Sequence, residues 1–340
     1  MEAASVISIV FGGNSPEHDA SVDSFSYVYE CLQDSRVAIR NVYFVDVRGL
    51  VHEHAFQRSM DAAAYLQSST PMSYAQALRR WKEDDCYLLN LLHGRHGEDG
   101  HLQGAAALVG LRGSFGSTLA SSLSMSKFHM SHYASSVCPL LRIPQSTLLR
   151  SGEDLDYSLP GLGGLHSAVV IKPNASGSSI DTERYATLEG NESLVSLQLE
   201  RIYEGGNDAL VQQYICGVEY TVGCLRTTDG GIRPLPVVRI TSREGFFGFV
   251  EKNTVGSVVK EFVADSPLTD KLKAISVSLF SSVGFSNMCR FDFIVSEDGN
   301  IFFLEANSIP GLMRNSLYPK MLRMADIDIV GVIADLARAT

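Results

Sequence analysis

Two short stretches near the carboxyl end of the chain carry four polar side chains that can act together. RFDFIVS contains Arg290 and Asp292, and IFFLEAN contains Glu305 and Asn307. Side chains alternate faces along a β-strand, so residues two positions apart share a face. If the turn at residues 296–300 folds the stretches into a hairpin, two carboxylates and an amide converge as an all-oxygen set that suits Mg²⁺. Arg290 beside them would neutralise charge developing on a phosphoryl or tetrahedral oxygen.

The same pattern also fits a solvated hairpin face with a surface ion pair. The segment NSIPG, which directly follows the second stretch, favours the functional interpretation. A Pro-Gly turn behind the acidic residues can aim backbone N–H groups at the same spot.

A second candidate is the segment VVIKPNASGSS, in which a strand-like run delivers Lys172 to a loop of small residues. The loop N–H groups and the hydroxyls of Ser178 and Ser179 can wrap a phosphate chain. The segment is not a Walker A loop, because the lysine precedes the glycine. A plain surface turn is the alternative.

Two more segments place polar residues where a strand gives way to a helix. In LLHGRHGEDGHLQG, His93 is the functional candidate, and Asp99 fits a structural role as the helix cap. In FGGNSPEHDAS, Glu17 lies in the first helical turn, where the helix dipole favours an anion and where a carboxylate can receive a substrate ammonium group. Lys127 in SMSK and Lys252 in FVEKN, taken alone, are typical of surface lysines.

The elements that must position these residues follow a pattern along the chain. The first third alternates strands with helices, which predicts a parallel sheet covered by helices. Ligands of such sheets lie at the carboxyl ends of the strands, where both glycine-rich segments fall. A helix over SMSKFHMSHYASSV opens a second region, and a third begins near Cys216 with further strands, a helix at residues 268–283 and the hairpin.

Composition limits the classes of protein to consider. The 340 residues are 45% hydrophobic and 19% charged, values typical of a globular protein. A net charge of −10 argues against a nucleic-acid partner. No apolar run approaches the roughly 20 residues of a membrane helix, and the amino terminus lacks a basic region before its apolar run. Six scattered cysteines indicate reduced thiols in a cytoplasmic protein.

Taken together and in this order, these segments resemble the D-alanine–D-alanine ligase family of ATP-grasp enzymes. The matching segments span nearly the whole chain: FGGNSPEHDAS, LLHGRHGEDGHLQG, SMSK, VIKPNASGSS, GVEYTVG and RFDF…FFLEANSIPG…NSLYPK. The resemblance implies an α/β, three-domain ATP-grasp fold with a Rossmann-like parallel sheet at the amino terminus. The expected domains are residues 1–118, 119–215 and 216–340.

The resemblance also implies a reaction in two steps. ATP phosphorylates the carboxylate of a first amino acid, and the amine of a second attacks the acyl phosphate, leaving a peptide bond, ADP and phosphate. The triphosphate and the substrate carboxylate are both anions, so they can react only if cations screen their charges, which agrees with the lysines and the arginine. The resemblance also implies two Mg²⁺ ions, for which Mn²⁺ is a substitute. The partners implied are small-molecule amino acids, with no nucleic acid and no membrane, in a homodimer.

Each site residue receives a role from the family. Those expected to bind the nucleotide are Lys127, Lys172, Ser179, Gln212, Glu219 and Lys252. Those expected to hold the metal ions are Asp292, Glu305 and Asn307. Those expected to bind the amino acids or stabilise the tetrahedral intermediate are Glu17, His93, Ser178, Asn253, Arg290, Gly311, Arg314 and Ser316.

Departures from the family pattern cluster on the acceptor side. Asn253 stands where the ligases usually have a tyrosine, and it leaves room for something larger than D-alanine. Asp181 replaces a usual glycine, and Met313 and Arg314 replace small hydroxyl residues near the acceptor carboxylate. Arg314 is expected either to bind an extra acid group on the acceptor or to be a surface arginine. Gln212 replaces a glutamate, but its amide oxygen still accepts from the adenine amino group.

These departures predict an ATP-dependent carboxylate–amine ligase whose acceptor is not D-alanine. A D-alanine–D-alanine ligase of peptidoglycan synthesis is the first alternative. A non-catalytic nucleotide-binding protein on the same fold is the second. Retention of the full set of metal and phosphate ligands argues against the second alternative, because a binding relic has no need of it.

Overall fold

The computed structural model describes residues 5–58, 60–67, 69–155, 168–242 and 258–338. Its amino-terminal part holds a five-stranded sheet in the order β4-β3-β2-β1-β5. The strands are β1 (Val6–Gly12), β2 (Ala38–Val45), β3 (Val51–Ala55), β4 (Pro71–Met72) and β5 (Tyr87–Asn90). The α-helices of this part are α1 (His18–Leu32), α2 (Tyr74–Asp84) and α3 (His101–Val109), with a 3₁₀ helix at Ala62–Leu66.

The predicted parallel sheet is confirmed for its centre, because β1 pairs in parallel with both β2 and β5. Strands β3 and β4 add an antiparallel edge that the sequence pattern did not indicate. The segment VHEHA forms β3 although three of its five residues are polar. Its pairing with the apolar β2 decides its conformation.

The carboxyl ends of β1 and β5 are tied together. Gly12 and Gly13 both have positive φ angles, of 94° and 108°, a conformation that favours glycine. The Gly12 N–H donates to Ser21 Oγ, and that hydroxyl donates to the Leu91 carbonyl. Helix α1 therefore starts at the sheet edge where parallel sheets bind ligands.

Residues 118–142 contain α4 (Thr118–Met125), α5 (Lys127–Val137) and β6 (Leu141–Arg142). The sequence predicted one continuous helix over SMSKFHMSHYASSV, and this was wrong. The helix is interrupted at Ser126, whose extended backbone ends α4 and whose hydroxyl accepts from the His129 N–H to cap α5. The break places Lys127 in the first turn of α5.

A four-stranded antiparallel sheet follows, in the order β7-β10-β8-β9. Its strands are β7 (Ser146–Leu149), β8 (Val169–Pro173), β9 (Glu183–Tyr185) and β10 (Ala209–Gln213), and α6 (Glu192–Glu204) packs against it. The predicted helix near residues 192–203 is confirmed.

The carboxyl-terminal part is a seven-stranded sheet in the order β14-β13-β11-β15-β16-β6, with β12 beside β11. Its further strands are β11 (Gly217–Arg226), β12 (Ile232–Pro234), β13 (Val238–Ser242), β14 (Val258–Phe262), β15 (Met288–Ser296) and β16 (Ile301–Asn307). The helices are α7 (Pro267–Val283), α8 (Leu317–Met324) and α9 (Ile329–Arg338). None of the helices in the described ranges is both long and apolar enough to cross a bilayer.

The apolar packing departs from the expected division into domains. Met130 of α5 and Leu141 of β6 share a core with Phe280 and Phe291, so residues 118–142 pack on the seven-stranded sheet. Side chains of α8 and α9 share a core with Phe25 of α1. The three domains remain a proposal. The shared core groups residues 118–142 with the carboxyl-terminal sheet, so this packing favours starting the central domain after residue 142.

Candidate active site

One cavity of about 600 Å³ lies where the three parts of the chain meet. It brings together every predicted site residue within the described ranges except Arg314. The predicted residues on its wall are Glu17, His93, Lys127, Lys172, Ser178, Ser179, Gln212, Glu219, Arg290, Asp292, Glu305, Asn307, Gly311 and Ser316. Lys252 and Asn253 lie outside the described residues.

The predicted hairpin is confirmed, and its register places the four polar residues opposite each other. Strands β15 and β16 are antiparallel, with Asp292 paired with Glu305 and Arg290 paired with Asn307. The pairing register shifts by one residue between Asp292 and Phe293. Asp292 is buried and accepts a hydrogen bond of 2.5 Å from the Thr221 hydroxyl of β11.

Arg290 and Lys127 screen the carboxylates of this hairpin. The Arg290 guanidinium donates to both oxygens of Asp292, over 3.0 and 2.8 Å, and its Nη2 lies 3.9 Å from Glu305. Lys127 Nζ lies 3.4 Å from Glu305 on its other side. Although burial opposes ionisation, Lys127 and Arg290 together lower the pKa of Glu305 to about 2. The hairpin therefore stays anionic at neutral pH.

The oxygen donors of the hairpin fit a hard cation whose remaining ligands are waters and substrate phosphates. Within the described ranges, no three or more His, Cys, Asp and Glu side chains form a closed metal site. The hairpin instead offers two carboxylates and the Asn307 side chain, whose amide nitrogen lies 3.4 Å from oxygens of both Asp292 and Glu305. Mg²⁺ binds through one or two carboxylates, waters and substrate phosphates, so this open set suits it.

The residues predicted to bind a nucleotide line the wall of the same cavity next to the hairpin. Lys127 Nζ donates to the Ser176 carbonyl over 2.5 Å, which ties α5 to the glycine-serine loop. Burial, together with the positive charge of Lys127, lowers the pKa of Lys172 to about 8. Burial and the nearby Asp292 and Glu305 raise the pKa of Glu219 to about 8. The buried amide of Gln212 completes this wall on β10.

The glycine-serine loop adopts an unusual backbone. Ser178, Ser179 and Asp181 have positive φ angles of 58°, 56° and 49°, each in a region that non-glycine residues rarely adopt. The buried Gln198 amide holds the loop by donating to the Asp181 carbonyl over 2.8 Å. Gly177 lies so close to the Glu17 carboxylate that a side chain there would collide with it.

The loop reaches the amino-terminal part through Glu17. Ser178 Oγ donates to Glu17 Oε1 over 3.2 Å. Burial and the nearby Glu98 carboxylate raise the pKa of Glu17, against the opposing effects of His93 and Lys127. Burial alone would lower the pKa of His93, but its interaction with the Glu98 carboxylate raises it.

Glu98 is a cavity residue to which the sequence pattern assigned no role. Its Oε2 accepts from the Gly94 N–H over 2.7 Å and lies 3.7 Å from His93 Nδ1. Its Oε1 accepts from the Ile309 N–H over 3.3 Å. The sequence signal that could have revealed it is the acidic pair Glu98-Asp99 between two glycines, in a loop at the carboxyl end of a strand.

Two expected acceptor-side residues point elsewhere. The Arg314 side chain is 65% exposed, forms an ion pair with Glu30 of α1 and stacks over the Tyr27 ring at 5.3 Å. Arg314 is absent from the described residues that line the cavity, whereas Met313 and Ser316 do line it. Asp181 forms an ion pair with Arg201 of α6 at 3.6 Å. Arg314 and Asp181 thus each have a charged partner outside the acceptor side of the cavity, and the acceptor contact of Arg314 stays a prediction.

Comparison with known proteins gives consistent results over the whole chain. The family models described as "D-ala D-ala ligase N-terminus" and "D-ala D-ala ligase C-terminus" match residues 6–114 and 163–338. A D-alanine–D-alanine ligase of Phocaeicola vulgatus is 26% identical over 333 residues, which cover 97% of each chain. One of Syntrophotalea carbinolica is 32% identical over 236 residues, which cover 67% of this chain and 70% of the relative.

Solved structures share the fold. The VanG D-Ala:D-Ser ligase from Enterococcus faecalis superposes with a TM-score of 0.79 at 24% identity and covers 98% of both chains. A D-alanine–D-alanine ligase from Bacillus anthracis, complexed with ATP, superposes with a TM-score of 0.72 at 22% identity and covers 98% of this chain and 97% of its own.

Proposed function

The chain belongs to the D-alanine–D-alanine ligase family, and from this premise we propose that it joins one amino acid to an amine acceptor other than D-alanine. Its α/β ATP-grasp fold is confirmed by its structural relatives. It is an ATP-dependent, ADP-forming ligase whose substrates are small molecules, namely amino acids. The observation that supports the ligase chemistry is the single cavity whose lining includes Glu17 together with Asp292, Glu305 and Asn307.

In this proposal the hairpin holds the metal ions, and the cavity residues next to it hold the nucleotide. Lys127, Lys172 and Ser179 bind phosphate oxygens, and Gln212 and Glu219 bind the base and ribose. Asp292, Glu305 and Asn307 hold Mg²⁺, which when bound neutralises charge on the phosphates. Two ions, and Mn²⁺ as a substitute, are part of the proposal. The distance of 3.4 Å between Lys127 Nζ and Glu305 supports it, because a cation that could bind phosphate then lies beside a carboxylate that could bind the metal ion.

The first amino acid binds at the amino-terminal side of the cavity. We assign Glu17 to its ammonium group, with Ser178 holding that carboxylate in place. His93 lies next to this pair on the cavity wall. The raised pKa of Glu17 supports this assignment, because burial and Glu98 outweigh His93 and Lys127 there, and a further cation such as an ammonium ion would favour the charged carboxylate.

Peptide-bond formation needs an anion-stabilising pocket beside the hairpin. Attack of the acceptor amine on the acyl phosphate puts negative charge on the carbonyl oxygen, and phosphate then leaves. The Arg290 guanidinium and the Gly311 N–H border the same cavity and are assigned to that oxygen. Both are fixed before the substrate arrives, Arg290 by its two hydrogen bonds to Asp292.

The acceptor subsite is assigned to Ser316, with Met313 beside it. The proposal of an acceptor other than D-alanine now rests on Asn253, since Arg314 and Asp181 have other partners. It is supported by VanG, a relative of the same fold that is described as a D-Ala:D-Ser ligase. A D-alanine–D-alanine ligase is the second candidate, because the curated relatives carry that name.

Phosphate release over a panel of amino-acid pairs tests the proposal. The purified chain is incubated with ATP, Mg²⁺ and pairs of D- and L-amino acids, with reactions lacking the acceptor as controls. Turnover that is fastest with an acceptor other than D-alanine is the expected result. Efficient turnover with D-alanine alone would establish the second candidate. ATP binding without ADP formation for any pair would support a non-catalytic nucleotide-binding protein.

A pH profile of ATP binding tests the nucleotide wall. As pH rises through about 8, Lys172 loses its positive charge and Glu219 becomes negative. Both changes disfavour a triphosphate, so the Kd for ATP should be constant at neutral pH and should increase above pH 8. Calorimetric titration measures this. Lys172→Arg, whose guanidinium stays protonated, should give a flatter profile. A Kd for the wild-type chain that stays constant above pH 8 would contradict the assignment.

Two expectations about the cellular context are also part of the proposal. The chain is proposed to act in the cytoplasm and to form a homodimer, both by analogy with the family. Light scattering of the purified chain measures the second property.

A further inference from the structure

The hydroxyl of Ser24 lies at the junction between the two substrate-binding sides of the cavity. Ser24 is on α1, and its side chain is fully buried. Its Oγ lies 3.1 Å from His93 Nε2 and accepts from the Leu312 N–H over 3.3 Å. One hydroxyl therefore contacts the histidine beside the Glu17 site and the backbone of the loop at residues 308–316.

That 308–316 loop carries the groups assigned to the acceptor and to the tetrahedral oxygen. Gly311 and Ser316 line the cavity, and Gly311 directly precedes Leu312, whose N–H binds Ser24. The peptide plane that presents the Gly311 N–H is thus within one residue of the Ser24 hydrogen bond. A change in this hydrogen bond alters the direction in which the Gly311 N–H points.

A second tie joins the same two parts of the protein. Glu98 accepts from the Ile309 N–H over 3.3 Å and from the Gly94 N–H over 2.7 Å. Its Oε2 faces His93 Nδ1, while His93 Nε2 faces Ser24. His93 therefore lies between the two residues that hold the 308–316 loop, with one ring nitrogen toward each.

The protonation of His93 decides which group donates in the hydrogen bond between Ser24 and His93. Ser24 has one hydroxyl hydrogen, and its oxygen already accepts from Leu312. If neutral His93 carries its hydrogen on Nδ1, that N–H points toward Glu98 and Nε2 accepts from Ser24; if the ring is doubly protonated, Nε2–H donates to Ser24. Ser24 contacts both His93 and Leu312 in either form. Loss of the Ser24 hydroxyl leaves the buried Leu312 N–H and His93 Nε2 without this partner.

We propose that Ser24 is a positioning residue that sets the 308–316 loop relative to the Glu17 and His93 side of the cavity. It touches no reacting atom in the proposed reaction. It acts through Leu312 on the Gly311 N–H and through His93 on the donor site. This inference rests on the proposed ligase function and adds a residue that couples its two amino-acid sites.

The test compares Ser24→Ala with Ser26→Ala, a matched control on the same helix. The Ser26 hydroxyl donates to the Val22 carbonyl one turn earlier, a contact within α1 itself. Because loss of the hydrogen bond also misplaces the loop that carries the acceptor site, Ser24→Ala should lower kcat/KM for the acceptor about tenfold. The KM for ATP should not change, and Ser26→Ala should match the wild type in every constant.

The readouts separate positioning from folding. Hydrogen exchange of the peptide containing Leu312 should be faster in Ser24→Ala, and this measurement does not depend on turnover. Equal acceptor constants for Ser24→Ala and wild type would overturn the inference, as would a proportional loss in all constants. If Ser24→Ala does not fold, Ser24→Cys, which keeps the volume but hydrogen-bonds weakly, is held to the same comparison. A wild-type chain inactive with every pair would instead refute the proposed function.

Discussion

Asp292→Asn is expected to lower kcat for product formation by about a thousandfold, the size of effect seen when a preorganised electrostatic group is removed from an active site. The change keeps the shape of the side chain but removes one negative charge from the hairpin. The hairpin then has one carboxylate left to hold Mg²⁺, since the remaining oxygen donors are amides. Product formation measured against Mg²⁺ concentration reports both the rate and the metal dependence.

The same substitution at Asp298 is the control. Asp298 lies in the turn between β15 and β16, where its partners are Ser296 and Asn300. Asp298→Asn should keep wild-type turnover, because the turn is remote from the cavity. Circular dichroism verifies that both variants are folded at the assay temperature. Wild-type turnover by Asp292→Asn would refute the proposed metal site.

Arg290→Met is expected to give the largest loss of stability among the substitutions considered. It removes the cation that binds Asp292 over 2.8 Å and lies 3.9 Å from Glu305. Removing one partner of a buried ion pair costs about 3–5 kcal/mol of unfolding free energy, because the other charge stays buried without it. Added Mg²⁺ should raise the melting temperature of the variant more than that of the wild type, since a bound cation replaces part of the lost charge.

Arg239→Met provides the matched control. Arg239 pairs with Glu261 over 2.6 Å, but both side chains are about half exposed. Exposed pairs contribute roughly 0–1 kcal/mol, so this variant should unfold near the wild-type temperature. Thermal unfolding with and without MgCl₂ compares the two variants. Equal melting temperatures for Arg290→Met and Arg239→Met would show that the carboxylates do not depend on Arg290.

The hairpin was predictable because its signal is local. Alternation of polar and apolar residues has a period of two in a strand, and a turn of five residues folds the two arms together. These two features do not give the register: counting back from the turn would pair Asp292 with Leu304, and a shift between Asp292 and Phe293 pairs it with Glu305 instead. The glycine-rich ends of β1 and β5 were predictable for the same reason, since a positive φ angle favours glycine over other residues.

Features that depend on distant partners were not predictable in this way. Arg314 lies two positions from Ser316 in the sequence, yet it contacts Glu30 of α1, far away along the chain. The break between α4 and α5 depends on Ser126, which caps α5 and whose hydroxyl also accepts from the Asn174 amide. Glu98 and Ser24 acquire their roles from Ile309 and Leu312, residues that no local pattern connects to them.

The amino-acid sequence alone determined the alternating elements of the first sheet, the polar face of the hairpin and the resemblance that implied the family. Each is encoded in neighbouring residues or in ordered motifs. Only the tertiary structure decided which charges meet: Lys127 with Glu305, Arg314 with Glu30, and Asp181 with Arg201. The physical reason is that an ion pair depends on distance in space, and that distance is set by the packing of helices and sheets from separate parts of the chain.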